Sequence, residues 1–455
     1  MSASSRIAAT RLRRKLVWLF EARSSAAAVM HTLVARFGVL GINLATGLII
    51  ARVLAPTGRG EQAAMTLWPT VICGLLTFGL PTALRYYAAR ERDRGAELLS
   101  ASLLYSMLLG FIGVVAGVLF IPHWLSNYDT HVIRFAQWLM LLAPPIMIAW
   151  ILQGFLEARG NFRQSNAIVY IPPAATLAAL VVLAILHRLT PYSSSLAYAV
   201  PPLLVTVWRL IALRHLIRLP TGGFRTTTRR LFSYGMGAYG VNVLSTLSSQ
   251  IDKALVVKFL TPASLGAYTV GVTVAALPGI VAQSLTIVLL PRASAMEYDA
   301  ALALVARAAR LTLAGTLAGS IVLGLVVPKA LPLLYGHSFA VSVEVTEILF
   351  LQVTIAATVS ILAQAFLAVG RPAFLNIHQA LGLASTFPFM LFLIPRFGVN
   401  GAALAALLSA ILRMAFMLAS YPIFLKRPPP NLILRPADIA FVLATLRAKP
   451  RAEET

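Results

Sequence analysis

One pattern is written twice in this chain, in the same order and at nearly the same spacing, inside otherwise apolar stretches. Leu54-Ala55-Pro56-Thr57-Gly58-Arg59-Gly60 recurs as Leu260-Thr261-Pro262-Ala263-Ser264-Leu265-Gly266, an offset of 206 residues under the form L-x-P-x-x-x-G. Ile151-Leu152, Ala158, Gly160 and Asn166 recur in register as Ile361-Leu362, Ala368, Gly370 and Asn376, an offset of 210. Two matches in one order predict a duplicated unit. Transporters are commonly built from such repeats, with the substrate path at the interface between them. The functional surface is therefore expected between two halves of one membrane domain.

Of the 455 residues, 59% are hydrophobic and only 12% charged, with a mean hydropathy of +0.82. A soluble domain carries about twice that share of charge. A bilayer-spanning helix needs about 20 mostly apolar residues. On that measure twelve spans are predicted, near 33–54, 66–88, 98–121, 135–157, 166–187, 195–217, 232–259, 265–290, 309–328, 343–369, 374–395 and 399–425. Six fall in each half, so both halves enter the membrane from the same side and the repeat is parallel. The expected fold is an all-α polytopic membrane protein. Its predicted parts are a basic amphipathic tail (1–29), a six-helix bundle (30–217), a linker (218–230), a second six-helix bundle (231–425) and a Pro-rich basic tail (426–455).

A net charge of +23 would suggest nucleic acid as the partner of a soluble protein. Its distribution argues otherwise, and no nucleic-acid partner is expected. With the N-terminus placed inside, 28 of the 38 Lys and Arg residues lie on the inner side and 7 in outer loops, Arg59 among them. The other three, Arg36, Lys253 and Arg413, fall within spans. The positive-inside rule then makes both termini cytoplasmic. The segment 6–23 is basic, with Leu12, Leu16, Leu19 and Phe20 at helical spacing, and is read as a helix on the inner surface. A signal peptide is the competing reading, but the apolar stretch is short and broken by Arg. The single cysteine, Cys73, excludes an intrachain disulfide.

Several chemistries are missing. No G-x-x-x-x-G-K-[ST] loop occurs, no H-x-x-x-H pair, and one cysteine cannot build a thiolate metal site. No G-x-S-x-G elbow is present. Two acid-x-acid pairs, Glu91-Arg92-Asp93 and Glu297-Tyr298-Asp299, fall in predicted cytoplasmic loops and read as solvated charge. No external loop is long enough for a catalytic domain, so a transporter is expected rather than an enzyme. Nothing in the sequence asks for a metal or a cofactor.

Polar residues inside spans are costly and usually face a cavity or a partner. The seventh span concentrates them. Asn242, Ser245, Ser249 and Asp252 share one helical face, and Thr246, Gln250 and Lys253 form the adjoining stripe. Such a face either lines a water-filled cavity or bonds to neighbouring helices. In the first span Arg36 and Asn43 share a face, although Arg36 is near enough to the inner end to snorkel. Arg413 sits near the middle of the last span, where snorkelling is difficult, with Ser409 one turn away. Guanidinium groups suit planar contact with phosphate or carboxylate. A cavity holding Arg36, Lys253 and Arg413 against Asp252 would favour an anion. Pro144-Pro145 and Pro172-Pro173 interrupt the hydrogen-bond ladder of the fourth and fifth spans, as hinges or as static bends.

These residues resemble the oligosaccharide flippase (Wzx-type) family of the multidrug/oligosaccharidyl-lipid/polysaccharide exporter superfamily. Residues 51–61, followed by Gly79-Leu80-Pro81, look like that family's opening helix pair. Gln250-Ile251-Asp252-Lys253, ending in Pro262-Ala263-Ser264-Leu265-Gly266-Ala267-Tyr268, resembles its seventh-helix signature, with Thr261 in place of the usual glycine. Leu334-Tyr335-Gly336 and the run from Ile394 to Ala402 look like its later loops. The similarity spans roughly residues 30 to 425, and the short C-tail lacks the two extra helices of fourteen-span relatives.

The resemblance implies two bundles around a central cavity that opens alternately to either side of a bacterial cytoplasmic membrane. The implied cargo is a polyprenyl-diphosphate-linked oligosaccharide for surface polysaccharide. Membrane lipids and, among proteins, a polysaccharide polymerase and other assembly proteins are the implied partners. Arg36, Lys253 and Arg413 would attract the diphosphate, while Asn43, Asn242, Ser249 and Gln250 would bond sugar hydroxyls. The lipid tail would stay in the bilayer between the bundles. Asp252 is the natural candidate for H+ or Na+ coupling, with an ion pair that gates closure as its rival. The alternatives are a lipid-linked peptidoglycan precursor flippase or a multidrug exporter of the same fold. From another class comes a membrane glycosyltransferase or polymerase acting on lipid-linked sugars.

Overall fold

The computed structural model describes residues 25–217 and 224–438, and every long element among them is a helix. The basic segment 6–23 lies outside the described residues. The first long helix, Ser25–Leu76, is broken at Ala55, whose φ of 56° leaves the helical region. A residue before proline is disfavoured in the α conformation, so the chain stops at 54 and restarts at Pro56. We number these pieces α1 (25–54) and α2 (56–76). Then follow α3 (Leu80–Arg90), α4 (Gly95–Trp124), α5 (Thr130–Leu139), α6 (Ala143–Ala158), α7 (Phe162–Ile185) and α8 (Pro191–Leu213). The second half contains α9 (Phe224–Phe259), α10 (Pro262–Ala275), α11 (Ile280–Ser294), α12 (Tyr298–Tyr335) and α13 (Val341–Ala368). A last helix, Ala373–Ser420, breaks at Gly398 with φ 56° and gives α14 (373–397) and α15 (399–420).

By length and composition, seven helical stretches among the described residues can cross a membrane. Three of them contain a break: at Ala55, between α5 and α6, and at Gly398. The order of elements follows the sequence reading, six segments per half, but the cuts differ. The stretch 55–65, read as an outer loop, is helix from Pro56 onward and carries Arg59 inside α2. The second segment of each half is interrupted near its middle, at 77–79 and at 276–279. Pro144 and Pro145 begin α6 after a short turn at Met140–Leu142, as N-terminal prolines can without losing a bond. Pro172 and Pro173 instead lie inside the continuous helix α7.

The core shows how the halves join. At the end carrying the 55/56 and 261/262 turns, one buried apolar cluster runs through both halves, from Trp68, Tyr128 and Met140 to Val256, Tyr268 and Phe339. At the opposite end the core is divided. Leu84, Leu99 and Phe155 form one cluster with Leu231 of α9, and Val305, Phe366 and Phe374 form another. The halves thus share one core at one end, while at the other the core is in two parts and α9 alone of the second half joins the first. On the outer surface, large apolar side chains stay exposed, Leu119 at 75% and Leu325 at 77%. Such a face belongs in hydrocarbon.

Beyond α15 a five-residue π-helical turn, Tyr421–Leu425, closes the second bundle. The Pro-rich basic tail stays docked as far as residue 438. Arg427 makes two bonds to Asp299, at 2.9 and 2.8 Å. Asp438, 1% exposed, receives Nε and Nη2 of Arg310 at 2.6 and 2.9 Å. Residues 439–455 lie outside the described residues.

Candidate functional site

At the shared-core end the two copies of the duplicated motif meet each other. A Cβ on Gly60 would stand 1.7 Å from the Pro262 carbonyl oxygen, and one on Gly266 would stand 2.0 Å from that of Pro56. Only glycine permits so close a backbone approach. Around this contact each half reaches across to the other. Nη1 of Arg52, at the end of α1, donates to the carbonyls of Leu333 and Leu334 at 3.1 Å each. Nζ of Lys258, at the end of α9, donates to the His123 carbonyl at 2.7 Å. Arg52 and Lys258 stand at the same place in the repeat, two residues before its leucine. Each cation meets carbonyls in the last turns of the opposite half's third segment, where free C=O groups and the helix dipole favour positive charge. Trp124 adds an indole bond to the Ala254 carbonyl at 2.8 Å. This end is closed.

Below the closure, two cavities lie between the halves. One, of about 260 Å³, is lined by Arg59, Gln62 and Thr70 from α2 and by Gln250, Lys253 and Thr273 from α9 and α10. The other, of about 330 Å³, is lined by Thr77, Arg85 and Gln153 from the first half and by Asn242, Ser245 and Thr246 from α9. Among the described residues neither is lined by a carboxylate. Arg85 is partly neutralised by Glu157 at 2.7 Å. The surface is therefore cationic where Arg59 faces Lys253, and otherwise made of hydroxyls and amides. Such a surface fits an anionic group attached to a hydroxyl-rich one.

A third pocket, of about 140 Å³, sits within the second half and is lined by Ser248, Asp252, Gln352, Thr386, Ser409 and Arg413, among others. The Tyr268 hydroxyl donates to Oδ2 of Asp252 at 3.0 Å. Oδ1 of Asp252 and Nε of Arg413 are buried without a hydrogen-bond partner.

The predicted site residues are thus sorted by face. Asn242, Gln250 and Lys253 look into the cavities between the halves. Asp252 and Arg413 share the pocket behind them. Ser249 is exposed and turns its hydroxyl back to the Thr246 carbonyl at 2.9 Å. Asn43 is exposed on α1, away from the lining residues of these three pockets. The side chain of Arg36 lies outside the described residues. Sequence reasoning missed the opposing wall: Arg59, Gln62, Thr66 and Thr70 at helical spacing along α2, with Gln153 from α6 and Tyr198 from α8. The signal is present as the i, i+3, i+7, i+11 run 59, 62, 66 and 70. It is hidden because the first of these follows a Pro-Thr-Gly stretch that reads as a loop.

The α9 helix also holds the first half at the divided end. Arg230 pairs with Glu91, and its guanidinium bond holds that carboxyl below its usual range. Tyr234 stacks on Tyr86 with ring centres 4.3 Å apart. A Cβ on Gly79 would fall 2.1 Å from the Gly235 carbonyl oxygen.

Residues 26–297 match the model of a family described as polysaccharide biosynthesis protein. No curated protein matches the chain in sequence. Among solved structures, the chain is similar to a lipid II flippase MurJ in an inward closed conformation. The TM-score is 0.73 at 15% identity, over 91% of this chain and 92% of that one. It is also similar to a multidrug resistance MATE family transporter of the MOP superfamily in an inward-facing conformation, with TM-score 0.70 and 12% identity, over 87% and 99% of the two chains. An outward-facing structure described in the same terms gives 0.53 at 11% identity, over 88% and 95%.

Proposed function

The chain belongs to the polysaccharide biosynthesis protein family, and from that premise we propose that it flips a polyprenyl-diphosphate-linked oligosaccharide across the cytoplasmic membrane. The observation that carries the proposal is the wall between the halves, which Arg59 and Lys253 line together and, among the described residues, no carboxylate lines. Two cations in a membrane interior suit a diphosphate, whose oxygens accept charge-assisted bonds. The hydroxyls and amides of Thr70, Gln250, Asn242 and Gln153 suit sugar hydroxyls. A multidrug exporter of cationic compounds would need an acidic wall instead.

The divided end carries the basic segments around Arg85–Arg94 and Arg229–Arg230, so the positive-inside rule assigns it to the cytoplasm. The closed end then faces outward, and substrate enters from within. Alternating access follows if the Gly60–Gly266 contact opens while the rest of the second half closes at the other end, where α9 already holds the first half. Arg413 and Asp252 are the opposite charges lining the pocket behind the wall, where coupling to H+ or Na+ or gating by an ion pair would act.

The test is a deletion strain complemented with wild type, Arg59→Ala or Lys253→Ala, followed through its lipid-linked sugars and surface polymer. The expected result is complete lipid-linked repeat units accumulating on the cytoplasmic side, cured by wild type alone. Each variant should lose about 10- to 100-fold in flux, as removal of a charged hydrogen-bond partner predicts. Arrested peptidoglycan with normal surface polysaccharide would move the substrate to a lipid-linked peptidoglycan precursor. Exported but unpolymerised units would refute transport.

A further inference from the structure

We infer that the cleft between α5–α6 and α8 binds the hydrocarbon chain of the lipid carrier, which enters the first half sideways from the bilayer instead of staying between the two halves. The inference rests on the flippase reading above. Two cavities of about 540 and 360 Å³ adjoin in this cleft and share Leu139, Leu142, Pro145, Ala199 and Leu203. The larger lies within the 300–1,000 Å³ range of ordinary ligand sites. The smaller opens on the lipid face, where its lining residues Trp138 and Leu196 are 68% and 45% exposed.

The sequence builds this cleft. α5 ends at Leu139, a short turn follows, and Pro144-Pro145 restart the helix as α6. Pro201-Pro202 stand at the same depth in α8 and remove two amide donors. Near the closed end the two helices are joined by Phe135 against Tyr192, with ring centres 5.0 Å apart. Beyond that contact they part, and Ala149 and Ala199 leave the space unfilled. Leu139 lies nine residues into α5, about 14 Å along the axis at about 1.5 Å per residue and so near the middle of a bilayer core about 30 Å thick.

Its inner end decides the occupant. Thr66, Thr70 and Tyr198 line both the large cavity and the Arg59–Lys253 cavity, while Trp150 and Gln153 line both it and the Asn242 cavity. The mostly apolar slot thus leads from bilayer hydrocarbon to side chains that also line the cationic wall. A molecule with a diphosphate at one end and a long hydrocarbon chain at the other fits it in one orientation. A chain longer than the slot can leave through the mouth. Filling the apolar part of this space with hydrocarbon gives its lining dispersion contacts that an empty slot forfeits.

The experiment places the full chain in nanodiscs with a polyprenyl diphosphate that carries a diazirine within its first isoprene units. After irradiation the adducts are mapped by mass spectrometry. The expected adducts fall at 138–149 and 196–203, compete away with unlabelled polyprenyl diphosphate, and drop at least tenfold in Ala199→Trp. Val200→Trp, at the mouth where that side chain is 43% exposed, should lower them in the same direction. Adducts confined to the second half or to α1, unchanged in both variants, would overturn the inference and leave the flippase reading intact. Cleft labelling that is not competed, and that a diazirine phospholipid reproduces, would also overturn it, because bilayer lipid would then be the occupant. Failure of the flippase reading itself appears separately, as absence of accumulated lipid-linked sugar in the deletion strain.

Discussion

At the scale of single residues, the pocket behind the wall is the most exacting feature. Asp252 and Arg413 line one small space, and each leaves a buried polar atom without a partner. Opposite charges that share a pocket are coupled when removing one costs more than removing both. Arg413→Met should therefore lower the melting temperature in detergent more than the double variant Asp252→Asn/Arg413→Met does. Equal losses would show that the two charges act independently. A second residue-scale prediction concerns the docked tail. Hydrogen bonding to Arg310 brings the Asp438 carboxyl down to about 2. A depressed carboxylate contributes its stability above the unfolded pKa of about 4 and loses it as pH falls through the folded value. Proteolysis of the chain near 426–438 should accordingly be unchanged from about pH 8 to pH 5, and Asp438→Ala should make it fast across that whole range. The wall is less legible from sequence than these sites. Lys253, Gln250 and Asn242 were found because α9 concentrates polar residues. Asp252 and Lys253, by contrast, are chain neighbours, and only the packing around α9 decides which faces which cavity.

At the scale of elements, the latch formed by Arg52 and Lys258 makes a quantitative claim. A cation on helix C-terminal carbonyls stabilises by about 0.3–1 kcal/mol, and more where partly buried. Arg52→Ala and Lys258→Ala should each move the population toward the outward-open state by about fivefold, the equivalent of about 1 kcal/mol. Spin labels on the ends of α4 and α9, in a Cys73→Ser background, would read this as a growing long-distance fraction. An unchanged distance distribution would make the latch incidental. The elements themselves were largely legible, because membrane hydropathy is a strong signal and prolines and glycines mark its breaks. The starts of α2 and α10 show where it fails. Each begins at the motif proline, Pro56 or Pro262, after only one or two non-helical residues, and Thr261 caps the second through a bond from the Ser264 amide at 3.4 Å. A turn this tight, with an Arg and several polar residues after it, reads in sequence as an external loop.

At the scale of the whole molecule, a shared core at one end and two separate cores at the other make a wedge, and the sequence repeat supplies its symmetry. The duplication was visible in the letters; the fact that its two copies touch was not, because contact across 206 residues leaves no local trace. Gly60→Ala should prevent the closed end from forming, since its Cβ would lie 1.7 Å from a backbone oxygen that cannot move aside alone. Labelling of a thiol placed beside Lys253 should then come from the outer side in that variant and from the inner side in wild type. Labelling from the same side in both would refute the gate. The contact is also reciprocal: Gly60 meets Pro262 as Gly266 meets Pro56, and Arg52 reaches into the second half as Lys258 reaches into the first. That is the signature of an isologous interface, in which one patch binds its own copy. This chain therefore carries a homodimer's handshake inside a single polypeptide, and a change on one hand can be answered only by a change on the other.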